Sequence, residues 1–270
     1  MSGVEFRKVY RPVQPAVNFV DGLINYSELL PHPGLSNYIY CYWRLHSTTE
    51  LSIPFSYRVI PDGCIDIFIN LKNVNESRVM GFSTTNVVFD LDKSFDYLGI
   101  RFLPAAFPLM FKIDASALKD RDEDLFGVLP SLAKHLTTKL EGVFNFSMLK
   151  TLLDNSFLKL LENQKIKQDK RLHNAIYLVL QSHGNVSFKS DIDTGISQRQ
   201  LRRLFEYYIG DTPKIFSKVV RFQYLFQLLS RDKKYSFNKV FLDCGYYDQP
   251  HFNKDFKAFF GLTPGEVISR

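Results

Sequence analysis

The sequence predicts a chain in two parts. The first is an N-terminal α+β part built on a barrel-like sheet with flanking helices; the second is a C-terminal all-α part in which a long helix joins two helix-turn-helix units. Three observations carry this. Short runs rich in β-branched and aromatic residues, separated by Gly, Asn, Asp and Ser, recur between residues 35 and 103, the pattern of a sandwich or barrel. One pattern of apolar residues, Gly, Thr and Pro occurs twice in the last third, displaced by 51 residues, and a fixed period of that size marks repeated structural units. Charge is also unevenly placed: residues 165–270 hold 18 Lys and Arg against 10 Asp and Glu, while the preceding part is nearly neutral. At 270 residues there is room for two cores. The expected division is 1–162, a linker over 163–169, and 170–270.

Residues 1–34, rich in Pro and polar residues, read as an extended lead-in with a short strand at most. Leu35–Leu45 opens as a helical turn and passes into a strand, because its aromatic residues suit a pleated surface. Tyr57–Pro61 is the next strand, and Pro61-Asp62-Gly63 turns the chain, Pro presetting φ and Gly accepting a positive one. Cys64–Leu71 is apolar at nearly every place and reads as a strand buried on both faces or lying at a sheet junction. Val79–Phe82, Asn86–Leu91 and Tyr97–Leu103 complete the series. Helical patterns follow over Ala115–Lys119, Leu129–Lys139 and Phe146–Leu161. The last carries Leu149, Leu152, Leu153, Phe157, Leu160 and Leu161 on one stripe. That stripe suits pairing with the same helix of a second copy or packing on its own sheet. Glu162–Lys170 is polar and supplies the linker, and Leu172, Ala175, Ile176, Val179 and Leu180 open the helical part.

The strand aromatics either fill a core or line the mouth of the barrel as a pocket with phenolic donors. Tyr40, Tyr42, Trp43, Phe68 and Arg101 are the candidate effector-binding residues, with Tyr38 and Phe102 beside them. Arg101 is a charge in an otherwise apolar strand; Asp66, an anionic ligand and solvent are its three options. His32, His46 and His135 are scattered, and Cys41, Cys64 and Cys244 lie far apart with no Cys-x2-Cys pair. Neither a metal site nor a cofactor is therefore expected. Residues 1–20 lack the apolar run of a signal peptide, and no 18-residue apolar stretch occurs. The expectation is a cytoplasmic protein with reduced thiols and no membrane partner.

The repeat reads Leu201-x3-Phe205-x4-Gly210-x-Thr212-Pro213, then Phe252-x3-Phe256-x4-Gly261-x-Thr263-Pro264. Two apolar residues four apart share a helix face. A Gly beyond them suits a left-handed cap, and the following Pro ends the helix. Gly195 and Gly245 precede each copy, after the short segments Phe188–Thr194 and Phe237–Cys244, so each unit reads as helix, turn and second helix. Ser197 is the expected cap of the first second-helix, and Pro213–Ser230 the joining helix. Gln198, Arg199, Arg202 and Arg203 face outward in the first unit, and Gln249, His251, Asn253 and Lys254 in the second, together with Lys257. Arg and Gln are the side chains that read guanine and adenine edges in a major groove, so all of these but Lys257 are the eight candidate DNA-binding residues, and double-stranded DNA is the expected partner.

This stretch resembles the DNA-binding domain of the AraC/XylS family of transcription regulators. The most specific part runs from Asp243-Cys244-Gly245-Tyr246-Tyr247-Asp248-Gln249-Pro250-His251-Phe252-Asn253-Lys254-Asp255-Phe256-Lys257 to Gly261-Leu262-Thr263-Pro264. The resemblance implies seven helices, with one recognition helix per unit in successive major-groove segments. It points to Arg199, Arg202 and Arg203, and to Gln249, His251 and Lys254, as base readers. Three positions depart from the family pattern: Phe241 replaces a small residue, Ser190–Thr194 is a poor helix former, and Pro250 stands at a small polar position. More weakly, Ile60–Ile67, Met80-Gly81-Phe82 and Gly99–Pro104 are similar to the β-rich, cupin-like barrel found before this module in a set of bacterial regulators. The resemblance thus implies a regulator rather than an enzyme. A small-molecule effector, a homodimer and RNA polymerase are candidate partners. The alternative is an architectural or partner-binding DNA-associated protein without effector. A Cys64 nucleophile is the enzymatic option, and it lacks the cysteine set that alkyl transfer requires.

Overall fold

The computed structural model describes residues 3–14, 22–162, 164–188, 195–231 and 237–268. The N-terminal half holds β1 (Ile24–Leu29), β2 (Ile39–Ser47), β3 (Phe55–Val59), β4 (Ile65–Asn70), β5 (Ser77–Met80), β6 (Val87–Leu91), β7 (Asp96–Phe102) and β8 (Asp122–Asp124). Six strands form one sheet in the order β1-β2-β7-β4-β5-β8, and β3 pairs with β6 in a second, two-stranded sheet. All these pairings are antiparallel. The barrel-like part is therefore two facing sheets.

Side chains alternate along a strand, and here the alternation separates two interiors. Ile65, Ile67 and Ile69 of β4, with Leu98, Ile100 and Phe102 of β7, enter the main core. From the opposite face, Cys41, Trp43 and Leu45 of β2 meet Tyr57 of β3 and Leu91 of β6 in a smaller cluster. The segment expected to be buried on both faces thus has one dry face, while its Asp66 and Phe68 are only half-buried on the other. Trp43 lies directly across from Gly99. A Cβ at Gly99 would fall 1.8 Å from the indole, so only glycine lets the ring lie on the sheet there.

Helices cover the other face: α1 (Gly3–Val9), α2 (Ala106–Phe111), α3 (Leu125–Val128), α4 (Pro130–Leu140) and α5 (Phe146–Glu162). Helix α5 packs back on its own sheet. Leu149, Leu153 and Phe157 are fully buried, Phe157 meets Phe102 edge-on at 6.0 Å, and Asp154 accepts from the Tyr42 hydroxyl at 3.0 Å and the His32 amide at 2.8 Å. Its apolar stripe is consumed within the chain.

The C-terminal half holds α6 (Lys170–Gln181), α7 (Gln198–Ile209), α8 (Pro213–Arg231), α9 (Phe237–Asp243), α10 (Gln249–Phe260) and α11 (Pro264–Ile268). Among the described residues those are six of the seven expected helices; the remaining one was expected over Phe188–Thr194, of which 189–194 lie outside the described residues. Residues 164–169 form neither helix nor strand, and Asp169 caps α6. The two halves nevertheless share one buried core. Phe216 of α8 meets Phe82, and Asp211 pairs with Lys119 at 2.6 Å. Gln223 of α8 donates to Pro61 O at 2.7 Å and accepts from the Val13 amide at 2.7 Å.

Candidate nucleic-acid interface and N-terminal cavity

Local chemistry sets both outward-facing helices. Ser197 and Gln200 form a reciprocal capping box at the start of α7, and Gly210 ends it with φ of 110°. Asp248 caps α10 through the His251 amide, Pro250 occupies its first turn where no donor is needed, and Gly261 closes it with φ of 85°. Leu201, Phe205 and Ile209 anchor α7; Phe252, Phe256, Phe259 and Phe260 anchor α10. Phe241, which replaces a small residue, stacks on Phe252 at 5.7 Å, so the crossing accommodates it as an aromatic pair.

Gln198, Arg199, Arg202 and Arg203 are exposed on α7, and Gln249 and Lys254 on α10, while His251 and Asn253 are half-buried. The repeat aligns Gln198 with Gln249 and Arg203 with Lys254. Not every candidate is equally available. The Gln198 amide donates to Phe188 O, Arg202 pairs with Glu206 at 2.8 Å, and His251 lies 3.4 Å from Asp255. The last carboxylate is buried and also takes Lys218 at 2.9 Å. A groove of about 730 Å³ between the units brings together Gln198, Arg202, Lys214, Lys218, Arg221 and His251. Lys214, on the joining helix α8, is exposed. Sequence reading missed it because it sits outside both recognition segments. Tyr247, 91% exposed just before the Asp248 cap, was missed as well. An exposed aromatic beside a helix N-terminus is the signal that could have found it.

The second site is a cavity of about 550 Å³ between the six-stranded sheet and the β3–β6 pair. Trp43, Tyr57, Phe68, Phe89 and Tyr97 supply its aromatic walls, and Asp66 and Arg101 its floor. Of the five candidate effector residues, Trp43, Phe68 and Arg101 line it. Tyr42 and Tyr40 do not. Alternation turns Tyr42 into the main core, where it is fully buried. The register irregularity between Ile39 and Cys41 leaves Tyr40 at the margin, under the Arg7 guanidinium at 5.0 Å.

Arg101 does not reach solvent. It is buried and faces Asp66 at 3.1 Å, Asp62 at 3.5 Å and Glu28 at 3.9 Å. Asp66 also accepts from the Trp43 indole N–H at 2.8 Å. Burial pushes the Asp66 carboxyl up, to about 6, and Arg101 offsets this only in part. Burial opposes the charge on Arg101, but Asp66 and Asp62 outweigh it and hold the guanidinium ionised. The floor then runs into the joining helix: Asp62 accepts from Gln14 at 3.1 Å, Pro61 O accepts from Gln223, and Gly63 packs against Phe216. Cys64, in the same corner, is buried with its thiol pushed well up by desolvation, the opposite of an activated nucleophile.

Residues 193–270 match a family model described as a helix-turn-helix domain, and residues 27–124 match one described as a domain of unknown function, DUF6597. Among curated proteins, the HTH-type transcriptional regulator ArgR of Pseudomonas aeruginosa is 35% identical over 71 residues, 26% of this chain and 21% of that protein. An uncharacterized HTH-type transcriptional regulator of Haemophilus influenzae is 32% identical over 102 residues, 37% of this chain and 34% of its own length. The chain thus spans between a fifth and about a third of these relatives. Solved structures of ToxT from Vibrio cholerae resemble it at a TM-score of 0.41 and 13% identity, covering 91% of this chain and 96% of that one. No helix among the described residues is long and apolar enough to cross a membrane.

Proposed function

We propose that this chain, which ends in a helix-turn-helix domain of the AraC type, is a sequence-specific DNA-binding transcription regulator of the bacterial cytoplasm and not an enzyme. Residues 170–270 read double-stranded DNA. Residues 1–162 take a small molecule or mediate assembly, with 163–169 as the connecting segment. The observation that carries the reading is the phased pair of capped helices, which present Arg203 and Lys254 outward at the same place of the repeat. Arg199, Arg202 and Arg203 read one block of bases; Gln249, His251, Asn253 and Lys254 read the next. Gln198 holds the first helix against its own unit and contributes position more than readout.

An effector changes DNA binding only if it favours one arrangement of the two halves over another. The route runs from the cavity floor through Arg101 and Asp62 to the Pro61–Gly63 turn, and from there to Gln223 and Phe216 of the joining helix. RNA polymerase and a second copy of the chain are the further partners this reading implies.

The test is selection of bound sequences from a random DNA pool at fixed moderate salt, with wild type, Arg203→Ala and Lys254→Ala. Two short blocks about one helical turn apart are expected, each variant blurring a different block. No enriched motif with any of the three proteins would overturn specific readout and favour an architectural role.

A further inference from the structure

We infer that the N-terminal cavity takes an organic cation, an ammonium group carrying an apolar tail, and that this is the class of effector for the regulator reading on which the inference rests. Shape comes first: about 550 Å³ is the size of a small-molecule site. Two features then select the charge. Five aromatic side chains, Trp43, Tyr57, Phe68, Phe89 and Tyr97, line the walls, and the electron-rich centres of aromatic rings attract cations. Carboxylates also outnumber guanidiniums in the lining: Asp66, Glu76, Asp90, Asp122 and Asp124 against Arg78 and Arg101.

Both arginines are already committed. Arg78 is spent on Asp122, through the carboxylate and its backbone carbonyl. Arg101, which at first sight would anchor an anion, is held by Asp66, Asp62 and Glu28. An anionic ligand would have to pull it from three carboxylates and would meet their repulsion. A cation meets the opposite field. Its charged end is drawn toward Asp66, whose oxygens already bind Trp43 and Arg101, and its tail lies along the apolar part of the wall formed by Leu45, Val59 and Leu91.

The chain contains a single tryptophan, Trp43, and its indole lies in this wall, so its emission reports occupancy directly. Decyltrimethylammonium, decanoate and decanol share one tail and differ in charge. Each is titrated below its micelle concentration into the full chain and into Asp66→Asn and Phe89→Ala. The expected result is a saturable change with the cation, at least tenfold tighter than with decanoate or decanol. Each substitution should weaken it at least fivefold, with urea unfolding verifying that both variants fold. Equal or tighter binding of decanoate or decanol would overturn the cation assignment, as would a cation response that neither substitution alters. Binding to selected DNA is measured in parallel. A protein that binds DNA specifically but ignores the cation loses this inference alone. One that binds the cation but no specific DNA keeps the cavity and loses the regulator reading.

Discussion

Arg101 and Arg203 carry the same side chain into opposite circumstances. Arg101 is buried among three carboxylates at the floor of a cavity. Arg203 stands exposed on α7, in the half of the chain where basic residues predominate. Desolvation makes a buried charge depend on its partners; water and salt screen an exposed one and leave it free for a partner from outside. The first arginine is thus part of the fold, and the second is available for binding. The difference follows from where the strand and helix periods point each residue, not from residue type.

Removing each arginine should separate these roles. Arg101→Met leaves Asp66 and Asp62 without their shared countercharge, and the loss is expected to be about 3–5 kcal/mol, read by urea unfolding. Adding Asp66→Asn to that variant should recover part of the loss; no recovery would mean that the pair does not carry the effect. Arg203→Ala should leave unfolding within about 0.5 kcal/mol of wild type. On a selected DNA site it should cost about 1–3 kcal/mol if the guanidinium reads a base. Equal weakening on all sequences, with a shallower salt dependence, would make it a phosphate contact instead.

Much of this fold was legible because local chemistry and long-range packing agree. The Ser197 cap, the Gly210 and Gly261 caps and the 51-residue phase were readable from residue types alone, and the structure shows each in place, with Gln200 completing a capping box at Ser197. Strands β2 to β7 fell close to their expected runs for the same reason. Strand β1 was much less legible, since Ile24–Leu29 is half polar and pairs along one edge of the sheet. Strand β8, Asp-Glu-Asp, carries no β signal and is held by pairing with β5. That gap explains the partial reading of Arg101: Asp66, which the register places directly across from it, was named as a partner, but Glu28 arrives on the strand the sequence hardly marked. Tyr42 was misplaced toward the cavity because its neighbours are equally aromatic and only the register decides which face each one takes.

The acid side of the pair gives a smaller effect. The native Asp66 carboxyl holds its proton up to about pH 6, well above its ordinary value. Because the folded state binds this proton more tightly than the unfolded one, Asp66 disfavours folding above that pH. The penalty fades as pH falls toward the unfolded value. The groups facing it are Arg101 on β7, Asp62 in the turn and the Trp43 indole on β2. Between pH 7 and 5, wild type should therefore gain stability relative to Asp66→Asn, and Trp43 emission should titrate with a midpoint about 6 that the variant lacks. Parallel pH profiles for the two proteins would show that Asp66 is ionised throughout.

The smallest expected effect lies on the exposed helix. Glu206 holds the Arg202 Nε at 2.8 Å, four residues along α7, with both side chains open to solvent. Such a pair stabilises a helix by only about 0.3–0.5 kcal/mol, so Glu206→Gln should leave unfolding almost unchanged. It removes, however, a negative charge from the face proposed to meet DNA and releases Arg202 from its pair with Glu206. Binding to all DNA sequences should therefore tighten modestly, about twofold to fivefold at low salt, with the gain shrinking as salt screens it. A gain confined to one selected motif would mean that Glu206 orients Arg202 for base readout, and Arg202→Ala in the same background would then abolish it. A loss of affinity would place the carboxylate itself among the reading groups, in the role Glu plays when it accepts from cytosine.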